Sequence, residues 1–247
     1  MSKFSVIIPA AGDSTRFEGF RYKKPFVDLK GRAIWLRTVE HFVNRDDVSE
    51  VVLVLAEDDV EDFKLRFTAN LAFLPIQIAV GGATRAASVL NGIKQLSKPC
   101  DYIAVHDAAR PLLTKQWITE LFAAAEQRQA VIPAVPVSST VKSVDEHGQI
   151  QKTVDRTSLM LAQTPQVFRR DILESAYADA DDAAAFTDEA SLVESRGVAV
   201  FVHPGWSMNI KITTKDDFQL AETLINALPA GGGLEGVNPF DDERFRS

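Results

Sequence analysis

The chain has a single cysteine, Cys100, so no internal disulfide can form, and its place just ahead of an apolar run makes a buried thiol the expectation. Long apolar runs are missing too, with nothing near the roughly 18 residues that a membrane-crossing helix needs. The start, MSKFSVIIPAAG, lacks a basic segment leading into a greasy stretch and a small-residue cleavage site, so a cytoplasmic protein with no membrane partner is expected. Positive charge is scarce. With 27 Lys and Arg against 34 Asp and Glu the net charge is −7, which speaks against a nucleic-acid binder, because phosphate backbones are held by clustered cations. A small anionic ligand, needing only a few local cations, stays open. Of the four histidines, His41, His147 and His203 lack spaced partner ligands, so neither a metal cluster nor a catalytic triad is read from them.

Apolar runs rich in Val and Ile alternate with stretches of helical period, the pattern of an α/β protein with a mostly parallel sheet. Strands are expected at Phe4 to Ile8, Glu50 to Ala56, Ile76 to Val80, Tyr102 to His106, Ala130 to Val135 and Val198 to Val202. Helices are expected at Ala33 to Val43, Val60 to Ala69, Ala86 to Leu96, Gln116 to Gln127 and Ile172 to Ala178. From Val137 to Val154, polar and apolar residues alternate on either side of Glu146-His147-Gly148, which reads as a hairpin that projects as an arm. Residues 1–228 form one domain on this reading, and the Gly-rich, then charged stretch from Pro229 to Ser247 a flexible tail. Trp35, Trp117 and Trp206 are read as core or interface residues, and the acidic run Asp179 to Asp182 as a solvated surface.

The first strand runs into Pro9-Ala10-Ala11-Gly12-Asp13-Ser14-Thr15-Arg16, followed by Lys23-Lys24-Pro25. Gly12 stands alone where a dinucleotide site would need Gly-x-Gly-x-x-Gly, and no Gly-Lys-Ser/Thr follows, so NAD and a Walker loop are both disfavoured. Small residues let backbone N–H groups approach a polyphosphate that Arg16 and Lys24 would neutralise. A plain Gly turn with solvated cations remains the alternative for this segment taken alone.

Together with later segments, this opening resembles the 2-C-methyl-D-erythritol 4-phosphate cytidylyltransferases of the non-mevalonate isoprenoid pathway. The resemblance rests on Pro9 to Gly12 with Arg16 and Lys24; Gly81-Gly82-Ala83-Thr84-Arg85 with Ser88 to Gly92; Val105 to Pro111; Val135-Pro136 with Thr140 and Lys142; Val154-Asp155-Arg156; Gln163-Thr164-Pro165-Gln166; Thr187 to Ser191; and Asn209-Ile210-Lys211-Ile212-Thr213. These follow in family order over nearly the whole chain. Departures are Ser14 for a second glycine, Lys23 for a proline, Ser139 for a carboxylate, and an insertion-like Glu18 to Tyr22.

The resemblance implies a Rossmann-like, mostly parallel twisted sheet flanked by helices, the nucleotidyltransferase or GT-A-like fold. It implies transfer of CMP from CTP to the small polyol phosphate 2-C-methyl-D-erythritol 4-phosphate, with release of pyrophosphate. On it, Arg16, Lys24, Arg156 and Lys211 are catalytic; Pro9, Ala10, Ala11, Gly12, Gly81, Gly82, Arg85, Ser88, Asp107 and Ala108 bind CTP; and Asp107, Arg110, Thr140, Arg156, Thr164, Thr187 and Lys211 bind the acceptor. His106 orients its neighbours. Mg2+, or another divalent cation, is expected mainly through the CTP phosphates. A homodimer is expected, with Thr140 and Arg156 supplied by the neighbouring subunit's arm. Ribitol 5-phosphate is the alternative acceptor, disfavoured by Ala10-Ala11 before Gly12 and Ala108-Ala109 before Arg110, and a non-catalytic nucleotide-binding regulator is the rival of another class.

Overall fold

The computed structural model describes residues 1–12, 23–180 and 183–228. Strand β1 (Phe4–Pro9) is apolar on both faces and almost wholly buried, as a central parallel strand must be. A small hairpin of β2 (Asp28–Leu29) and β3 (Arg32–Ala33) leads into α1 (Ile34–Glu40). Then come β4 (Val48–Leu55), α2 (Val60–Arg66), α3 (Thr68–Leu71), β5 (Ile76–Val80), α4 (Arg85–Gln95) and β6 (Tyr102–Val105). The chain continues through α5 (Lys115–Arg128), β7 (Ala130–Pro136), β8 (Val141–Val144), β9 (Ile150–Val154), β10 (Met160–Ala162) and β11 (Gln166–Arg169). It closes with α6 (Arg170–Ala178), α7 (Glu189–Glu194), β12 (Phe201–Pro204) and α8 (Lys215–Leu224).

An eight-stranded sheet runs β10-β7-β11-β6-β1-β4-β5, with β12 also paired to β7. The four strands β5, β4, β1 and β6 are mutually parallel, while β11 runs antiparallel to both β6 and β7. Successive side chains of β1 alternate across the sheet: Val6 and Ile8 join a core with Trp35, Phe63 and Trp117, whereas Ile7 joins one with Val89, Ile103 and Leu173. Helices therefore cover both faces, and the ends of the strands stay open for a ligand.

Most of the expected elements are present within a few residues. The helix read over Val60 to Ala69 is instead broken at Phe67, whose backbone (φ −108°, ψ 20°) leaves helical geometry while its ring packs 5.1 Å from Trp35 and 5.0 Å from Phe63. The last strand begins at Phe201 rather than Val198, because pairing to β7 starts there while Val198 and Val200 pack into the core. Cys100 is only partly buried, with Nη1 of Arg170 at 3.7 Å from its sulfur. All three tryptophans lie in the core. Asp179 is exposed, as expected, while Asp181 and Asp182 lie outside the described residues, as do Asp13 to Tyr22 and the stretch from Pro229.

The hairpin is present. Among the described residues β8 and β9 pair only with each other, turning at Gly148 with φ +81°, and their side chains are mostly exposed.

Candidate active site

Strand β1 lies between β4 and β6, so the chain leaves the end of β1 toward one side of the sheet and returns on the other through β6. Such a reversal of strand order opens a crevice at the strand ends. A cavity of about 330 Å³ lies there. Pro9 to Gly12 line it directly after β1, and Ala10 is pinned to the neighbouring strand by its N–H donating to the carbonyl of Val54 at 2.8 Å.

Gly82, Ala83, Thr84, Arg85 and Ser88 form a second wall at the start of α4. The Thr84 hydroxyl caps that helix by accepting from the Ala87 N–H. Ser88 accepts from the Gly82 N–H at 3.1 Å and donates to the Thr84 carbonyl at 2.9 Å, so its hydroxyl ties the loop to the helix. Gly81 has no room for a side chain: an added Cβ would lie 2.6 Å from Cβ of Ala11 and 2.9 Å from the Ser88 hydroxyl. The two small-residue loops thus touch, and their close approach depends on that glycine.

Asp107 follows β6 and faces the cavity beside Ala108 and Ala109. Its carboxylate lies 3.0 Å from Nζ of Lys211, 3.3 Å from Nε of Arg110 and 3.8 Å from Nη2 of Arg85. Burial by itself would push the Asp107 carboxyl up, but Lys211, Arg85 and Arg110 outweigh it and hold the group well below the usual carboxylate range. Lys211 reaches this point because the buried Ile212 donates its N–H to the carbonyl of Ala109, fastening its loop to the segment that follows β6.

His106 is fully buried, and burial drives its pKa down to about 3, leaving the ring neutral. Its Nε2 faces the carbonyl of Arg110 at 3.0 Å and must be the donor, because a carbonyl only accepts. Nδ1 then accepts from the Thr164 hydroxyl at 3.0 Å, and that hydroxyl accepts the Asp107 N–H at 3.1 Å. His106 therefore orients its neighbours, fixing the backbone at Asp107.

Lys24 lines the same cavity from a 3-10 turn, Lys24–Phe26, anchored by the buried Pro25 and Phe26. Lys23 pairs with Asp59 at 2.8 Å.

A model of the 2-C-methyl-D-erythritol 4-phosphate cytidylyltransferase family matches residues 4–227. The chain belongs to that family. It is 37% identical over 236 residues to the 2-C-methyl-D-erythritol 4-phosphate cytidylyltransferase of Alkaliphilus metalliredigens, covering 95% of this chain and 98% of that one. With the enzyme of that name from Symbiobacterium thermophilum it is 42% identical over 224 residues, covering 90% and 92%. Among solved structures, a 4-diphosphocytidyl-2C-methyl-D-erythritol synthase superimposes with a TM-score of 0.76 at 33% identity, over 91% of this chain and 99% of that one. The 2-C-methyl-D-erythritol 4-phosphate cytidylyltransferase of Thermus thermophilus superimposes with a TM-score of 0.73 at 32% identity, over 91% and 99%. The fold and family read from the sequence are thus those of this cytidylyltransferase family.

Of the residues that resemblance to the cytidylyltransferases singled out, the structure gathers Pro9, Ala10, Ala11, Gly12, Lys24, Gly82, Arg85, Ser88, Asp107, Ala108 and Lys211 around one cavity. Arg110 and Thr164 stand behind it: Arg110 is mostly buried and donates to the carbonyl of Asn209 at 2.7 Å, while Thr164 holds the Asp107 backbone. Thr140, Arg156 and Thr187 are exposed and do not line the cavity of their own chain. Arg156 instead bonds to the carbonyl of Ser138 at the root of the arm. Arg16 and Ser14 lie outside the described residues. Glu189, which the sequence placed within a motif but gave no role, proves to be a buried carboxylate that grips Arg85. Its one signal was a charge set among apolar neighbours, Ala190, Leu192 and Val193, all buried.

Proposed function

We infer that the protein transfers CMP from CTP to 2-C-methyl-D-erythritol 4-phosphate, giving 4-diphosphocytidyl-2-C-methyl-D-erythritol and pyrophosphate. The observation that carries this is the cluster at the switch point, where Lys24, Lys211 and Asp107 share one cavity with two small-residue loops. The acceptor's phosphate is itself the nucleophile, and a phosphate monoester with a second pKa near about 6 is mostly dianionic at neutral pH, so no general base is required. The barrier lies in bringing anions together and in stabilising the charge that builds on the α-phosphate.

Lys24 and Lys211 lie where positive charge is needed, and Arg16 is proposed to join them on the α-phosphate. Backbone N–H groups of Ala11 and Gly12 are proposed to receive the nucleotide, those of Ala10, Gly81 and Gly82 being taken by Val54, Leu55 and Ser88. Asp107, kept ionised by its three cations, orients Lys211 toward the acceptor.

Among the described residues no cluster of three or more His, Cys, Asp or Glu can hold a metal ion, and Asp107 is the one carboxylate lining the cavity. One carboxylate, already paired with three cations, suits Mg2+ held mainly through triphosphate oxygens and water rather than by the protein. Bound in that way, the cation would neutralise triphosphate charge.

Thr140 and Arg156 would serve the acceptor in a homodimer in which one protomer's arm reaches the partner's cavity, with Thr187 completing the acceptor set. Support comes from the arm's exposed apolar residues, Val144 and Ile150 among them, on a hairpin that no other sheet among the described residues pairs with. No helix among the described residues is long and apolar enough to cross a membrane. A cytoplasmic location is proposed.

The test is pyrophosphate release from CTP and Mg2+ with 2-C-methyl-D-erythritol 4-phosphate, with ribitol 5-phosphate, or with no acceptor. Release with the first alone is expected. Release with ribitol 5-phosphate alone would replace the acceptor, and no release with either would point to a nucleotide-binding regulator.

A further inference from the structure

Arg85 lines the nucleotide cavity, yet both of its terminal nitrogens are engaged behind that wall. Nη1 donates to Oε1 of Glu189 at 2.7 Å and Nη2 to Oε2 at 2.9 Å, a fork-on-fork pair. Glu189 is 1% exposed and does not itself line the cavity. The Tyr177 hydroxyl donates to its Oε1 at 3.1 Å.

The start of α7, which carries Glu189, is fastened independently. Asp188 caps it by accepting from the Ser191 N–H at 3.0 Å. Gln166 of β11 clamps the same turn from outside, donating to Oδ2 of Asp188 at 2.7 Å and accepting from the Ala190 N–H at 2.9 Å. The carboxylate therefore belongs to a rigid frame, and the flexible partner in the pair is the long arginine side chain.

Arg85 has a second attractor in Asp107, at 3.8 Å. A guanidinium released from Glu189 would close that short gap and compete with Lys211 for the same carboxylate. Burial works against the charge on Arg85, but Glu189 beside it outweighs burial and keeps the guanidinium protonated well above its ordinary range. A pre-set cation costs less ordering when an anionic ligand arrives than one that must first leave another partner.

We propose that Glu189 is a positioning residue for CTP binding, acting through Arg85, which it holds at the wall of the nucleotide cavity and short of direct hydrogen bonding to Asp107. The proposal rests on the cytidylyltransferase reading of the cavity. It assigns Glu189 to the nucleotide side of the reaction rather than to the chemical step.

Steady-state kinetics of the full-length enzyme test it, with circular dichroism and a thermal melt as controls for folding. Glu189→Gln is expected to raise KM for CTP about tenfold while kcat changes less than about twofold. In an Arg85→Gln background the same change should add nothing further to KM for CTP, whereas a general structural role would multiply the two losses. An unchanged KM for CTP in a folded Glu189→Gln enzyme would overturn the proposal, as would full multiplication in the double variant. Should Glu189→Gln fail to fold, Tyr177→Phe takes its place, loosening the carboxylate without removing its charge. A rise in KM for CTP of roughly threefold at constant kcat is then expected, and no rise would overturn the proposal. Failure of the wild-type enzyme to release pyrophosphate from CTP and the acceptor would instead overturn the cytidylyltransferase reading itself.

Discussion

The ammonium of Lys211 lies 3.0 Å from Oδ2 of Asp107, joining the loop after β12 to the end of β6. Lys211 is 43% exposed at its side chain while Asp107 is only 11% exposed, so the pair has one buried anchor and one open cation. That asymmetry suits an ammonium meant to meet an incoming anion.

Replacing Lys211 with Gln should therefore lower turnover more than it lowers stability. A loss in kcat of about 100-fold or more is expected, by analogy with other preorganised charge-stabilising groups. Arg85 and Arg110 still face Asp107 in the variant, so the urea midpoint should move little. Pyrophosphate release alongside urea unfolding checks both halves, and a large shift in midpoint with kcat preserved would contradict the role.

Gly12, which lines the cavity, and Gly81, which packs behind its wall and does not line it, should behave in opposite ways. Gly81→Ala forces a Cβ to within 2.6 Å of Ala11 and 3.2 Å of the Leu55 carbonyl, so a loss of roughly 1–3 kcal/mol in unfolding free energy is expected. Gly12→Ala meets nothing within 4 Å and should leave stability nearly unchanged while weakening CTP binding, since the added methyl occupies space the ligand needs. Urea unfolding and CTP titration calorimetry on both variants separate the two effects.

The arm supplies a third prediction. Val144 and Ile150 are 55% and 59% exposed, and placing Asp at both positions should disturb little within the chain. If protomers exchange arms, this double variant becomes monomeric by light scattering and loses most of its turnover. Full turnover in a monomer would remove the arm from the active site.

The buried His106 predicts an acid-sensitive fold. An unfolded imidazole takes up a proton near pH 6.5 but this one only near pH 3, so between those values the unfolded state binds more protons and acid favours it. The stability linked to His106 is complete above pH 6.5 and is lost as pH falls through that window. His41 and His203, both lowered chiefly by burial, add to the same slope. Urea midpoints measured from pH 7 to pH 4 should fall steadily in the wild type and less steeply in His106→Gln.

Local pattern was enough for the parallel half of the sheet. β1 and β5 are short Val- and Ile-rich runs, and an alternation of such runs with helical periods leaves few other folds. The small-residue loop after β1 was legible because a nucleotide's phosphates demand close backbone approach, and the Gly81-Gly82 loop after β5 through its resemblance to the family. β10, β11, α7 and α8 were not foreseen. β10 is three residues of exposed side chains, and α7 and α8 are short helices begun by capping boxes at Asp188 and Thr214 rather than marked by long apolar stripes.

Residue order along the chain thus settled the fold class, the family and the set of cations available to the site, since each of these is written in periodicity or in motifs of a few neighbouring residues. Which of those cations meet was a matter of packing. Arg85 and Glu189 are 104 positions apart, and Arg110 and Asn209 are 99 apart. Their pairing follows from which strands lie side by side and from helices seated on opposite faces of the sheet, relationships that no periodicity in a local window carries. The same packing divided the candidate residues into those that face the nucleotide cavity, those that brace it from behind, and the exposed Thr140, Arg156 and Thr187, which lie away from the cavity of their own chain.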